Sequence, residues 1–331
     1  MRKEHAPLAG AALACLMTGM SGLAFAQSAT ADGYPNRPIR LIIPFPPGGS
    51  TDLYGRTLEP KLSEALGQRV VVDNRPGAGG SVGADLAAKA PADGYTLWVA
   101  QTANVAIGPA LRKKNPYDPI RDFVAITPIQ RAASVFVVAA SSPIKTLKDL
   151  IAVAKSNPQG TTYASAGVGT AGHINGYMLN KAAGIDMMHV PYKGGSPAML
   201  DLQGGRVTVM ATSIGTSAGI IKQGRIRALA VTGAKRAGAL PDIPTTAEQG
   251  IQGLEVSSWH ALMAPAKVPQ HLLLRLNKET VRILGLPDVQ DKLRSEGGEP
   301  SPMSLEDSAK FIREEVARWR QALQGADIAI D

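Results

Sequence analysis

The stretch IRLIIPFPPGGSTD at 39–52 constrains this chain more than any other. An apolar, strand-forming run ends in a Pro/Gly turn, and small polar residues then open a helix. A junction of that kind aims backbone N–H groups and hydroxyls at one spot, which suits an anion. The expected helix over 52–66 puts Tyr54, Leu58, Leu62 and Leu66 on one face, with Gly67 as its stop. Pro60 lies inside it and is expected to kink it. A strand over 69–73, a turn over 74–80, a helix over 81–89 and a strand over 95–100 follow. This β-α-β-α-β order predicts a parallel sheet with right-handed crossovers.

A second junction, TTYASAGVGT, stands at 161–170. Around it the pattern predicts strands over 135–140, 161–164, 188–191, 207–211 and 226–231. Helices are expected from Thr146, where Asp149 completes a reciprocal cap, and over 171–183, 197–202 and 217–222. A strand over 254–265 leads into three closing helices. The last repeats Leu305, Ala309, Ile312, Val316, Trp319 and Leu323 on one face, with Ser304 and Asp307 at its start. The reading is an α/β protein of two lobes: 34–130, to which 258–331 returns, and 131–257. The crossovers are expected near 125–135 and 250–260. Two anion cradles on two α/β units imply a clamp for a small negatively charged molecule.

The length of 331 residues agrees with two domains, and 44% hydrophobic with 19% charged residues reads as globular. Arg2 and Lys3, an apolar run and Ala24-Phe25-Ala26 predict a signal peptide over 1–26 and a periplasmic, soluble mature protein. The one cysteine, Cys15, lies inside that segment, and Ala12 stands where a lipoprotein signal needs a Leu-like residue. The exported chain then has no disulfide and no thiol nucleophile. Loss of Arg2, Lys3 and Glu4 takes the formal charge from +8 to +7. The basic residues are scattered, and Arg112-Lys113-Lys114 reads as a solvated loop. With 5% aromatics there is no stacking platform, so no nucleic-acid partner is expected.

The first cradle offers Phe45, Gly48, Gly49, Ser50, Thr51 and Asp52. Ser50 or Thr51 is expected to cap the helix. Asp52 suits a first-turn dipole partner or water holder, since it would repel an anion directly. The second cradle offers Ser165, Ala166, Gly167, Gly169 and Thr170, with His173 in the next helical turn as packing residue or ligand contact. It also spells G-x-G-x-x-G over Gly167, Gly169 and Gly172, with Asp186 placed like a ribose-binding acid. A nucleotide cofactor bound there is the alternative reading, and export away from cytoplasmic nucleotides weighs against it. Tyr192 ends a strand, so its hydroxyl either faces the cleft or packs an interface. His189, His260 and His271 have no metal-ligand spacing, and no catalytic elbow or carboxylate pair is present, so neither metal, cofactor nor enzymatic activity is expected.

Taken together, PFPPGGSTD at 44–52, NRPGAGGSVG at 74–83 with DGYTL at 93–97, and HVPYKGGSPAMLDLQGGRV at 189–207 resemble the tripartite tricarboxylate transporter substrate-binding proteins, the Bug family. RALAVT at 227–232 and WHALMAPA at 259–266 fit the same pattern. The resemblance implies a type II-like periplasmic binding protein whose two lobes, each a mixed sheet flanked by helices, join through two crossover strands. It further implies a monomer that takes a di- or tricarboxylate, acidic amino acid or aromatic acid to a permease with one large and one small membrane subunit. Both cradles would hold one carboxylate, partly through ordered waters. Loops around Gln101, Thr102 and Asn104, Thr212 and Ser213, and Trp259 are expected to read the rest of the ligand. Two positions depart from the family pattern: Tyr177 stands where an acid is usual, and Thr212-Ser213 where Asp-Asn is common.

Overall fold

The computed structural model describes residues 33–233, 235–254, 256–326 and 328. The signal peptide reading over 1–26 lies outside the described residues. In the first half, β1 (Ile39–Ile43) leads into α1 (Ser50–Leu66), followed by β2 (Val70–Asn74), α2 (Ser81–Ala88) and β3 (Thr96–Gln101). Strands β2 and β3 flank β1, both parallel to it. A π-helical turn over Ala103–Ile107 and the short α3 (Gly108–Leu111) come next. The long β4 (Phe123–Ala139) then leaves this half.

The second half repeats the plan. After α4 (Leu147–Ser156) come β5 (Thr162–Ser165), α5 (Ala171–Ala183), β6 (Met188–Pro191), α6 (Gly195–Gln203) and β7 (Val209–Ser213). Here β5 is the centre, with β6 and β7 parallel on its two sides. Each cradle therefore follows the middle strand of a three-strand parallel unit. The elements α7 (Ile214–Lys222), β8 (Ile226–Val231), β9 (Ser257–Pro265), α8 (Gln270–Leu284), α9 (Pro287–Ser295), β10 (Glu299–Pro300) and α10 (Leu305–Ala322) complete the chain.

One strand joins the halves. Residues 123–133 of β4 pair with β9, whereas Ser134–Ala139 pair with β7 and β8. β9 also pairs with β3, which ties the end of the chain to the first sheet. At the change of partner, Thr232 donates its N–H to the Ser134 carbonyl and its hydroxyl to Val256. The described residues from Pro35 onward pack as one compact unit.

Local rules explain most boundaries. Gly67 ends α1 in the left-handed region at φ 68°. Thr146 and Asp149 form the expected capping box, and Ser304 accepts from the Asp307 N–H. Pro60 does not break α1: the helix is continuous because Leu58, Leu62 and Leu66 are buried on one face. That burial outweighs the one N–H bond that proline forfeits. The face of α10 packs on the first sheet, where Phe311, Ile312, Val316 and Trp319 join a core with Trp98, Phe123 and Trp259.

Candidate ligand-binding site

The two cradles face each other across a small cavity of about 60 Å³. Phe45, Pro46, Gly49, Ser50 and Thr51 line it from the first half, and Ala166, Thr170, Ala171 and Gly172 from the second. Gln101, Ser134, Thr212, Ser213, Thr216 and Ser258 complete a wall rich in hydroxyls, and no ionisable side chain among the described residues lines it. An anion there meets dipoles rather than a fixed countercharge.

The dipoles come from helix starts. The N-cap of α1 is Gly49, with no side-chain cap, so neither Ser50 nor Thr51 caps as the sequence suggested. Both lie already inside α1, one and two places past its cap position, and the Thr51 hydroxyl instead accepts from Gln101 Nε2 at 2.9 Å and lies 3.1 Å from His260 Nε2. The first-turn N–H groups of an uncapped helix have no partner within the helix. In α5, Thr170 caps by accepting from the His173 N–H, which leaves the Ala171 and Gly172 amides as the N–H groups at the cavity wall.

Each loop is fastened from behind. Asp52 is buried and accepts from the Gly48 N–H at 3.0 Å, Arg56 Nε at 2.9 Å and Asn74 Nδ2 at 3.0 Å. Burial pushes its pKa up, but these donors outweigh it and hold the carboxyl below its ordinary value. Asn74 also donates to the Phe45 carbonyl. Asp52 is thus committed to the frame of the first loop and is not in the cavity wall.

The second loop is held by imidazoles. His173 Nδ1 accepts from the Gly169 N–H at 3.1 Å, and His189 Nε2 lies 2.7 Å from the Ser165 hydroxyl. The two rings stack at 3.9 Å, and Tyr163 stacks on His189 at 4.8 Å. Burial pulls the pKa of His173 down to about 4. Burial, then the neighbouring His173, pulls His189 down to about 3. Ser165 also bridges its own loop, accepting from the Gly167 N–H at 3.2 Å and lying 3.0 Å from the Gly167 carbonyl.

The halves also touch directly. Ser196 at the start of α6 donates to the Pro47 carbonyl at 3.4 Å. A Cβ on Gly194 would stand 2.8 Å from the Pro46 ring, and one on Gly79 would stand 2.7 Å from the Val168 carbonyl oxygen. The PPGG and GGS turns thus meet in backbone-close contact.

The other sequence candidates divide cleanly. Gln101, Thr212 and Ser213 reach the cavity. Gly48, Ser165, Gly169 and His173 stand behind it as the loops' supports. Gly167 and Tyr192 line a neighbouring cavity, and the Tyr192 hydroxyl is engaged at 2.7 Å with Asp201. Thr102 bonds the Trp259 backbone, and Asn104 Oδ1 accepts from the Gln101 N–H. Residues 258–260 are strand β9, not a loop, and the alternation of that strand turns Trp259 away, where its Nε1 donates to Glu315 at 2.7 Å. Ser258 faces the cavity in its place. Ser134 and Thr216 line it too, and the sequence motifs do not point to them. Their sequence signal is faint: Ser134 is a small polar residue before an apolar run, and Thr216 sits in the first turn of α7.

Residues 55–328 match the family described as the tripartite tricarboxylate transporter family receptor. The chain belongs to that family. Its members are solute-binding proteins, and several relatives point the same way. Protein BugT of Bordetella pertussis is 35% identical over 295 residues, covering 89% of this chain and 90% of BugT. Rpa4515 from R. palustris, solved with adipate, is 35% identical with a TM-score of 0.86, covering 89% of this chain and 99% of Rpa4515. MatC from Rhodopseudomonas palustris, solved with malate, is 28% identical with a TM-score of 0.83, covering 88% of this chain and 100% of MatC. The fold is therefore the two-lobe, type II-like fold of the periplasmic Bug proteins. In the G-x-G-x-x-G at Gly167 the Gly169 N–H is already spent on His173.

Proposed function

We propose that this chain is a periplasmic binding protein that captures a small carboxylate by lobe closure and delivers it to a tripartite tricarboxylate-type permease. The observation that carries the reading is the neutral cavity flanked by the starts of α1 and α5. A carboxylate there accepts from amides and hydroxyls of both loops at once and so bridges the halves. Closing around it removes water, which strengthens each charge-assisted hydrogen bond. The solute shifts the open–closed balance by its differential affinity for the two forms. Donors without net charge also favour release, since no buried counter-ion has to be abandoned. The adipate and malate bound by two relatives support the carboxylate class.

The contact residues in this reading are Gly49, Ser50, Thr51, Ala166, Thr170 and the amides at the start of α5. Gly48, Asp52, Ser165, Gly169 and His173 position them. In this reading 34–130 and 258–331 form one lobe and 131–257 the other, a boundary just before the partner change in β4 at Ser134. Residues 1–26 direct export, and the mature protein acts as a monomer without cofactor, metal or turnover.

The test is a thermal-shift screen of the purified protein against mono-, di- and tricarboxylates, aromatic acids and NAD. A specific ligand at one hundred times its dissociation constant stabilises by ~2.7 kcal/mol. A carboxylate that raises the melting temperature supports the reading. A rise with NAD alone would replace it with the nucleotide alternative.

A further inference from the structure

Beside the hydroxyl-lined cavity lies a larger one, of about 330 Å³, and the two share Phe45 and Ala166 as a common wall. The glycine turn at 77–80, Arg112, Val168 and Lys193 line the second space. We propose that this is a second anion subsite, in which Arg112 receives another acidic group of the same solute, so that the preferred ligand is a dicarboxylate. The proposal rests on the carboxylate reading above and adds the ligand's second charge to it.

Arg112 is the cation that the sequence pattern assigned to a solvated loop with Lys113 and Lys114. Only the two lysines are exposed; Arg112 turns inward and is half-buried. Its Nη2 donates to the Ala78 carbonyl at 2.7 Å. A guanidinium carries five donors, and no carboxylate among the described residues forms an ion pair with this one. Burial lowers its pKa, the mark of a cation taken from water without a partner charge. Lys193 is a second cation in its lining, and no acid among the described residues lines the space.

The backbone around Arg112 is built to hold it. Ala78 is the residue other than glycine found at positive φ among the described residues, at 46°. That conformation costs an L-residue energy and persists where the surroundings enforce it. Its carbonyl is thereby turned to accept from both Arg112 and the Ser81 hydroxyl. A Cβ on Gly79 would run into Val168, so this turn closes on the second cradle over the Phe45 ring. A solute with one carboxylate between the cradles extends past Phe45 and Ala166 into a space whose walls offer only positive charge. A planar, bidentate donor there suits a carboxylate.

Calorimetry on the purified protein tests this with a length series of straight-chain diacids and the matching monocarboxylates. The wild type is expected to favour the best diacid over its monoacid by about tenfold or more, as a charge-assisted pair would give. Arg112→Met should remove that preference and leave monoacid affinity within about twofold, and Arg112→Lys should keep part of it. Equal affinity of the wild type for both series would overturn the inference while leaving the carboxylate reading intact. Arg112→Met weakening both series alike would also overturn it, because that is the signature of a merely structural bond to Ala78. If neither series binds, the carboxylate reading fails and takes this inference with it. The wild-type preference and the lysine variant decide the matter even if the methionine variant misfolds.

Discussion

The two cradles share one plan and differ in what fastens them. Each follows the central strand of a three-strand parallel unit and ends in a helix start at the same cavity. Behind the first sits a carboxylate, Asp52, ringed by donors from Gly48, Arg56 and Asn74. Behind the second sits a neutral stack of Tyr163, His189 and His173. The same anion-binding geometry is thus reached through a charged frame on one side and an uncharged one on the other. The frames answer differently to a methyl group, to a lost charge and to acid.

The largest expected difference is steric. Gly172 in α5 and Gly55 in α1 both let a helix approach its sheet. A Cβ on Gly172 falls far inside contact with the Ala211 carbonyl oxygen, whereas one on Gly55 meets the Ile43 Cδ1 at 2.6 Å. A backbone carbonyl in β7 cannot move aside, but a methyl can rotate. Gly172→Ala should cost about 3 kcal/mol or more of unfolding free energy and Gly55→Ala about 1 kcal/mol, measured by urea denaturation. Equal costs would mean that the second cradle yields as easily as the first.

Removing the charge comes next. Asp52→Ala leaves the Gly48 amide without its acceptor and Asn74 Nδ2 with the Phe45 carbonyl alone, and should cost about 2 kcal/mol. The same change should weaken solute binding, because the amides of the first loop lose their frame. His173→Ala removes one neutral acceptor, for Gly169, and is expected to cost about 1 kcal/mol beyond its lost packing. Denaturation of the two variants side by side checks the order.

Much of this arrangement was legible in the chain, and the part that was not shares a cause. The bounds of α5, β6 and β8 follow from local periodicity and turn residues, as does the cap of α10. β4 was visible only over its apolar end. Its first part contains Pro128 and Arg131 and becomes a strand by pairing with β9, which arrives much later in the sequence. The site divides the same way. The cradles are contiguous motifs, while Ser134, Thr216 and Ser258 reach the cavity only through packing of distant elements. Trp259 was placed on the wrong side because the register of β9 decides which of two neighbours faces in. The pairing of His173 with His189 left no local trace either: the residues lie on α5 and β6, and it takes the β5–β6 register and the packing of α5 on those strands to bring them together.

Acid should separate the frames further. His173, His189 and also His260 are neutral when folded, with pKa values pulled down to about 4, 3 and 3, against 6.5 for the ordinary imidazole. Below pH 6.5 the unfolded chain therefore takes up protons that the folded chain refuses. Stability is complete above that pH and falls as pH drops towards 4, by about 2 kcal/mol per imidazole at pH 5. Asp52 behaves otherwise: its lowered pKa gives stability above its ordinary value of 3.8 that is lost only at more acid pH. Because His173 Nδ1 must keep its lone pair for the Gly169 N–H, the second cradle loosens first. Replacing His189 with Phe should reduce the proton uptake on unfolding near pH 5 by about one, read from the slope of unfolding free energy against pH.

The smallest effect expected is on affinity, at the edge of the second cradle. Thr212 is buried at the end of β7 and lines a cavity with no ionisable side chain. The family resemblance leads one to expect Asp there, so Thr leaves one fewer negative charge beside the cavity. If that absence tunes the site toward more anionic or aromatic acids, Thr212→Asp should weaken dicarboxylate binding by about tenfold, roughly 1.4 kcal/mol. The loss should shrink in acid, as the new carboxyl is protonated and its repulsion of the ligand disappears. Thr51→Val, in the first cradle, removes a hydroxyl without adding charge and should show no such pH dependence. Calorimetric titration of both variants near neutrality and at pH 5 makes the distinction. Unchanged affinity in Thr212→Asp would sink the idea that this position sets ligand charge. It would leave Arg112, across the Phe45 wall, as the residue through which the protein reads a second acid.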